Sequence, residues 1–359
     1  MRYDWPVPAG LQRLRAHAIA HSLFAPTDLQ SAIDRLGFVQ ADPIRAPARA
    51  QDLILGQRVR GYRAGDLEKA FDRLAIEEDT LYAYGFLAHR VWRLLHPRPA
   101  PRLSALERRV LAAVREMGVV HPKELEARFG RRRVTNAWGG LSKATTHALD
   151  HLHHRGYLRV ARRDSGIRLY QAAVERDEQL PAGDRLVGLV LAVADVLAPV
   201  AERTLAAIAA RLRRWIPGAP EHRALLRGLV GSGQLAAGDF DGARYLWPVA
   251  SAELARGELP RRVRFLAPFD PVVWDRRRFE HLFGWSYRFE AYTPAARRVR
   301  GYYAMPLLWR DLVVGWANAA LVDGRLAVEL GFVDRRPRER DFGRAVDAEI
   351  ARLERLVIG

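Results

Sequence analysis

A succession of helix and hairpin signals between residues 102 and 173 constrains the fold of this chain most strongly. Ser104 can cap a helix over residues 105–116, and Glu107 stands where a capping box would close. Two further helices (121–129 and 143–155) and two strands (157–160 and 167–172) follow. Three helices and a hairpin are the order of a winged helix, whose third helix usually enters the major groove of DNA. We therefore predict a winged helix over residues 102–178.

The same order of signals recurs on either side of this unit. Residues 184–250 show helix signals at 185–197, 202–213 and 221–230, and then a hairpin over 235–247. Residues 1–98 begin with helix signals at 11–21, 27–36 and 46–58. No sequence identity between the units is evident, so the repeat is a hypothesis about structure alone. It predicts two further winged-helix-like units, and the unit over 184–250 looks apolar enough to act mainly in packing.

Beyond residue 260 the pattern changes from helices to strands. Strand signals cover 287–293, 300–308, 312–321 and 325–333, and Asp323-Gly324 is a strong signal for a two-residue hairpin turn. A helix is predicted over 341–357. The predicted fold class is therefore α+β, with tandem winged-helix units followed by a C-terminal antiparallel β-domain, 260–359, and a closing helix.

Charge points to the partner of this fold. The net charge is +17, with 58 basic and 41 acidic residues, and the only lysines are Lys69, Lys123 and Lys143. Nucleic acid is the usual partner of such an excess, and arginine suits phosphates and guanine edges. The absence of cysteine excludes disulfides and thiolate nucleophiles. With no long apolar run and no signal-peptide core, we expect a cytoplasmic monomer that has no membrane segment and needs neither metal nor cofactor.

Candidate chemistry lies in the segment Gly-Phe-Val-Gln-Ala-Asp-Pro-Ile at 37–44. In extended backbone Gln40 and Asp42 point to the same side, and Pro43 favours extended geometry at Asp42. An amide and a carboxylate side by side can hold one water, and the carboxylate can accept its proton. The alternative is that Asp42 caps the following helix and Gln40 is an ordinary loop residue.

Four blocks of sequence resemble the YcaQ/AlkZ-like bacterial DNA glycosylases. They are residues 37–44 with Arg49, Phe-Asp-Pro-Val-Val-Trp-Asp-Arg at 269–276, Tyr-Arg-Phe-Glu-Ala-Tyr-Thr-Pro at 287–294, and Gly-Tyr-Tyr-Ala-Met-Pro-Leu-Leu at 301–308. The resemblance implies excision of N7-alkylated purines, and in some members the unhooking of interstrand crosslinks. It also implies that Gln40 and Asp42 are the catalytic Gln-x-Asp pair. In the family's Glu-x-Trp-x-His block this chain retains only the histidine, His89, which becomes a candidate for contact with the lesion.

Several arginines are candidates for DNA contact, namely Arg45, Arg49, Arg132, Arg133, Arg162, Arg163, Arg297, Arg298 and Arg300. For those of the second unit the alternative is a merely solvated basic face. For the last three the alternative is that the neighbouring Tyr302 and Tyr303 simply pack in the sheet. None of the three lysines neighbours Gln40 in sequence, so we expect a monofunctional hydrolase acting on double-stranded DNA rather than a lyase. The rival function is a non-catalytic winged-helix regulator or lesion-binding protein.

Overall fold

The first part of the chain after its opening helix forms a three-stranded antiparallel sheet packed on short helices. The computed structural model describes residues 9–99, 102–135, 141–173, 180–251 and 260–359. The elements in order are α1 (Ala9–Ser22), α2 (Leu29–Leu36), β1 (Phe38–Gln40), α3 (Ala50–Gly56), α4 (Asp66–Ala70), β2 (Ile76–Thr80), β3 (Tyr84–Ala88) and α5 (His89–Leu95). The strand order is β1-β3-β2, so the first strand pairs with the last. Strand β3 of the β2–β3 hairpin pairs directly with β1, whose last residue is Gln40.

A second helix–hairpin unit follows, and the predicted capping box is present at its start. Ser104 Oγ accepts from the Glu107 N–H, and the Glu107 carboxylate accepts from the Ser104 N–H. The elements are α6 (Ala105–Met117), α7 (Pro122–Phe129), β4 (Arg133–Thr135), β5 (Leu141–Lys143), α8 (Ala144–His154), β6 (Leu158–Asp164) and β7 (Ile167–Ala172). The strands β4 and β5 are additions that the sequence did not indicate. The end of the predicted unit, 174–178, lies outside the described residues.

The third unit repeats the strand arrangement of the first. Its elements are α9 (Ala182–Val196), β8 (Val200–Ala201), α10 (Glu202–Arg213), α11 (His222–Gly231), β9 (Leu235–Phe240) and β10 (Ala243–Pro248). The strand order β8-β10-β9 again places the first strand against the last. Leu189, Val193 and Leu197 are fully buried along or just after α9, in agreement with the packing role expected of this apolar unit.

The C-terminal part combines two short helices, a four-stranded antiparallel sheet and a closing helix. The elements are β11 (Val263–Phe265), α12 (Pro271–Trp274), α13 (Arg276–Phe283), β12 (Met305–Trp309), β13 (Leu312–Val322), β14 (Arg325–Phe332) and α14 (Arg340–Val357), with the strands in sequence order. Asp323 and Gly324 both have positive φ, at 49° and 75°, as the predicted two-residue turn requires. These elements confirm the α+β class.

The strand predicted over 287–293 is wrong, and so is the first half of the one predicted over 300–308. Between α13 and β12 the chain is irregular, because a side chain satisfies the backbone in place of a strand ladder. The Glu290 carboxylate accepts from the N–H groups of Val299, Arg300 and Gly301 at 2.8 to 3.3 Å. The alternating Tyr287 and Phe289 side chains, which suggested a strand, pack in an aromatic cluster instead.

Two long-range contacts join the N-terminal and C-terminal parts of the chain. Helix α1 packs against α12 and α13, and Leu11, Leu14 and Ile19 share one buried cluster with Phe279 and Leu282. A second connection is a fully buried ion pair, in which Arg58 binds both carboxylate oxygens of Asp270 at 2.8 and 3.1 Å. In the described ranges no helix is long and apolar enough to span a membrane.

Candidate active site

The predicted catalytic pair lies where β1 ends. Gln40 is the last residue of the strand and stands opposite Gly85 of β3. The Ala41 N–H donates to the Tyr84 carbonyl at 3.0 Å, after which the chain leaves the sheet. Asp42 Oδ1 accepts from the Ile44 N–H at 2.9 Å, which closes a local turn. Helix α3 begins eight residues later with Arg49 at its N-cap, so Asp42 does not cap that helix.

The surroundings of the pair differ from those of ordinary surface groups. Partial burial raises the pKa of Asp42 above its usual value, and the hydrogen bond from the Ile44 N–H only partly opposes this. Asp42 Oδ2 accepts no hydrogen bond from the described residues. The Gln40 Oε1 atom is buried and also has no hydrogen-bond partner among them. The side-chain oxygens Gln40 Oε1 and Asp42 Oδ2 are therefore close in sequence, and neither accepts a hydrogen bond from the described residues.

A small polar network fixes the backbone at Asp42, and sequence reasoning missed it. Gln51 Oε1 accepts from the Asp42 N–H at 3.4 Å, and Gln51 Nε2 donates to Glu68 Oε1 at 3.2 Å. Arg49 Nη1 reaches the same Glu68 oxygen at 2.7 Å. Gln51 lies on α3 and Glu68 on α4, so no local spacing marks them. Their effect is to hold the turn that carries Asp42 against two helices.

A cavity of about 1090 Å³ opens beside this turn. It is lined by the loop before α3 and the first half of that helix, by the segment at α4, by the hairpin of the second unit, by the C-terminal sheet with the loop before it, and by the end of α14. The lining residues that matter below are Arg45, Arg49, Glu68, Arg163, Tyr302 and Tyr303. Arg45, three residues after Asp42, is the first of these lining residues, and among charged groups Asp42 contributes most to the raised pKa of Tyr303. The cavity therefore begins next to the turn that carries the predicted catalytic carboxylate, although neither Gln40 nor Asp42 lines it.

Comparison with known proteins bears on the family of the chain and on its fold. The family model described as DNA glycosylase AlkZ-like matches residues 33–356. The chain belongs to this family. The fold of Streptomyces sahachiroi DNA glycosylase AlkZ superposes with a TM-score of 0.64 over 97% of this chain and 96% of that one, at 16% sequence identity. The family match makes the protein a DNA glycosylase, and the structural likeness shows that the fold is shared over nearly the whole of both chains.

The structure places His89 away from the predicted catalytic pair of this glycosylase. Gln40 faces Gly85 at one end of β3, and His89 follows at the other end, about 13 Å further along the strand. His89 Nδ1 lies 3.4 Å from Glu77 Oε1, and 43% of its side chain is exposed. Contact between His89 and the lesion stays a prediction, but the histidine is not positioned to assist Asp42 directly.

In the family's Glu-x-Trp-x-His block this chain has glycine, Gly85, at the first position, and the packing around Gly85 excludes a larger side chain. A Cβ added to Gly85 would lie 2.2 Å from the Val39 carbonyl oxygen and 2.7 Å from the Phe38 ring. Glutamate, which the family block has at this position, therefore does not fit the present packing.

The arginines predicted to bind DNA divide into two groups. Arg163 is held by Glu78, at 2.6 Å to Oε1 and 2.7 Å to Oε2, and Arg49 is held by Glu68. For each of these two arginines, a protein carboxylate competes with DNA phosphate for the guanidinium group. A second group has exposed or partly exposed side chains that no carboxylate binds within the described ranges: Arg45, Arg132, Arg133, Arg162, Arg297, Arg298 and Arg300.

Aromatic rings support two of the arginines in the loop before β12. The Arg298 guanidinium lies over the Tyr302 ring at 5.0 Å, and Arg300 lies over Trp285 at 4.8 Å. Tyr302 is 43% exposed and lines the cavity. This loop therefore presents charge and one aromatic ring, Tyr302, at the rim of the cavity, whereas Tyr303 is buried.

Proposed function

We propose that this DNA glycosylase is a monofunctional hydrolase of the N-glycosidic bond of N7-alkylated or crosslinked purines. The observation that carries the proposal is the pairing of Gln40 and Asp42 at the end of β1, with acceptor oxygens that no described residue uses. One water can donate its two hydrogens to these two oxygens. Its oxygen is then oriented by the amide and activated by the carboxylate.

An N7-alkylated purine needs little further help to leave. Its ring is already cationic, so when the bond between C1′ and N9 breaks, the electron pair neutralises the ring. The sugar passes through an oxocarbenium-like state, whose positive charge the Asp42 carboxylate stabilises. The water oxygen bonds to C1′ and its proton passes to Asp42. The products are an abasic site and the free alkylated base.

The positions of the lysines support hydrolysis rather than lyase chemistry. A lyase-type glycosylase needs an amine to form a Schiff base at C1′. Lys143 binds Glu126 at 2.7 Å, and Lys69 is 73% exposed beside Asp66. Neither these nor Lys123 lines the cavity. Borohydride should therefore trap no covalent complex.

DNA binding in this proposal rests on the helix–hairpin units and on basic charge. We infer that the three units act as winged helices, of which the second, with the exposed Arg132, Arg133 and Arg162, contacts the phosphate backbone. Arg297 and Arg298 would follow the strand next to the cavity. The net charge of +17 favours binding that weakens steeply with salt.

The decisive experiment uses a duplex that carries one N7-methylguanine. Wild type, Asp42→Asn and Asp34→Asn are incubated with it, and alkali then cleaves the strand at any abasic site. Asp34 is an exposed carboxylate on α2 and serves as the matched control. We expect cleavage by wild type and Asp34→Asn, and loss of at least about a hundredfold in Asp42→Asn, which is the usual contribution of a general base.

Other outcomes identify the part that fails. Equal cleavage by Asp42→Asn would leave a glycosylase without the catalytic assignment. If neither the monoadduct nor an interstrand-crosslinked duplex is cleaved, yet damaged duplex binds more tightly than intact duplex, the protein is a non-catalytic lesion-binding member. Equal binding of both duplexes, with a preferred sequence, would favour a regulator.

A further inference from the structure

Tyr303 carries a buried hydroxyl group that the fold does not use. The residue is 2% exposed, and its ring packs edge-on against Phe289 with the centroids 5.4 Å apart. Its hydroxyl oxygen has no hydrogen-bond partner among the described residues. Leaving a buried hydroxyl unpaired costs stability, and most such groups in proteins have a partner. Phenylalanine would fill the same space without that cost, so the oxygen calls for a functional explanation.

The location of this hydroxyl suggests its use. Tyr303 lines the cavity beside the turn that carries Asp42. Burial raises the pKa of Tyr303 well above its usual value, and the charge of Asp42 raises it further. The hydroxyl therefore keeps its proton at any working pH and is available as a hydrogen-bond donor. It differs in this from Gln40 Oε1 and Asp42 Oδ2, which only accept.

We propose that Tyr303 is a third positioning residue, which donates a hydrogen bond to the water held by Gln40 and Asp42. The inference rests on the proposed hydrolysis and adds a residue to it. A water molecule has two hydrogens and two lone pairs. The hydrogens go to Gln40 Oε1 and the Asp42 carboxylate, and the Tyr303 hydroxyl donates to one lone pair. The other lone pair is thereby directed at C1′, where the new bond forms as the bond to N9 breaks.

A neighbouring tyrosine shows what an ordinary structural hydroxyl does here. Tyr287 is 4% exposed and donates to the Ala304 carbonyl at 2.7 Å. Arg276, which packs on the Tyr287 ring at 4.6 Å, donates to the Val273 carbonyl at 2.6 Å. Both groups therefore have partners within the protein, whereas the Tyr303 hydroxyl has none among the described residues.

The test compares Tyr303→Phe with Tyr245→Phe. Tyr245, on β10 of the third unit, is 1% exposed and its hydroxyl shares a hydrogen bond with His281 Nδ1 at 2.7 Å, so its variant removes a buried, partnered hydroxyl away from the cavity. Single-turnover excision of N7-methylguanine, affinity for the damaged duplex and thermal unfolding are measured for each. We expect Tyr303→Phe to lower the single-turnover rate about tenfold, which corresponds to one lost hydrogen bond. Its affinity and unfolding temperature should not fall, whereas Tyr245→Phe should lose stability and keep its rate.

Combination with Gln40→Ala gives the readout that a structural role would not move. If both groups position one water, the loss caused by Tyr303→Phe shrinks when Gln40 is already alanine. Full additivity, or a Tyr303→Phe rate equal to that of wild type, overturns the inference while Asp42→Asn still reports on hydrolysis itself. A wild type that cleaves neither the monoadduct nor an interstrand-crosslinked duplex, or an Asp42→Asn variant as fast as wild type, overturns both proposals together.

Discussion

Replacement of Asp270 by asparagine should cost the protein several kcal/mol of stability. The Arg58 guanidinium makes five hydrogen bonds, two of them to Asp270, and both side chains are fully buried. Asparagine keeps the shape and the acceptor that caps α12 at the Val272 N–H, but it leaves the Arg58 charge without its counter-ion. Removal of one partner from a buried ion pair costs about 3–5 kcal/mol. Because Arg58 keeps its hydrogen bonds to Ser22 and Ile54, we expect a loss in the free energy of unfolding at the lower end of this range, about 3 kcal/mol.

Urea unfolding followed by tryptophan fluorescence and by circular dichroism measures this loss. The two probes must give coincident transitions before a free energy is taken from them. Arg344→Met is the control, because Arg344 is 80% exposed and its pair with Asp341 should contribute about 0.5 kcal/mol or less. Combined with Arg58→Met, Asp270→Asn should cost far less than the sum of the two single losses, because no unpaired charge is left behind. A single-variant loss under about 1 kcal/mol would refute the argument that this pair is both buried and charged.

The same measurement bears on the active site. Arg58 lies just after α3, the helix that supports Asp42 through Gln51, and Asp270 lies in the part of the chain that carries Tyr303. Loss of the pair loosens the two walls of the cavity relative to each other. We therefore expect Asp270→Asn to lose excision activity at a lower temperature than wild type, while retaining it well below its own unfolding transition.

Three further predictions concern the site and its surface. The excision rate should fall as the pH drops, because the raised pKa of Asp42 lets its carboxylate take up a proton at a higher pH than usual. The midpoint of this fall should lie above the usual aspartate pKa of about 3.9. Single-turnover rates corrected for enzyme-free depurination measure the midpoint, and a value at or below the usual pKa would contradict the prediction. Gly85→Ala should cost about 1–3 kcal/mol and slow excision, because its Cβ would meet the Val39 carbonyl and displace the strand of Gln40; unchanged unfolding and rate would be the contrary result. Arg297→Gln should lower the slope of log affinity against log salt by about 0.9, and an unchanged slope would remove Arg297 from the phosphate contacts.

Local signals in the sequence predicted those elements whose causes are local. The capping box of Ser104 and Glu107 involves residues three apart, and the turn at Asp323 and Gly324 depends on two adjacent residues with positive φ. The Gln40–Asp42 pair was predicted on similarly local grounds, since extended backbone alone puts both side chains on one side, and its catalytic role stays a prediction. Such features need no knowledge of the rest of the chain.

Non-local contacts explain what the sequence did not reveal. The hairpin β2–β3 was not predicted from the sequence. Its residues Glu77, Glu78 and Asp79 are charged, and charged side chains are usually exposed to solvent. In the structure all three are buried, and arginines from distant segments bind them. Tyr303 belongs to the cavity only because a loop more than 250 residues beyond Asp42 returns to it. No sequence pattern within either segment predicts that the two lie close together.

Helix α1 must wait for its partner during synthesis. Leu11, Leu14 and Ile19 are covered by α12 and α13, which leave the ribosome roughly 260 residues after α1 does. At 5–20 residues per second this interval is about 13–50 s. A helix of this length is marginal on its own in water, so its apolar side chains stay accessible to chaperones or to other nascent chains for the whole interval. The first helix of this protein is therefore among the last elements that can reach its final environment.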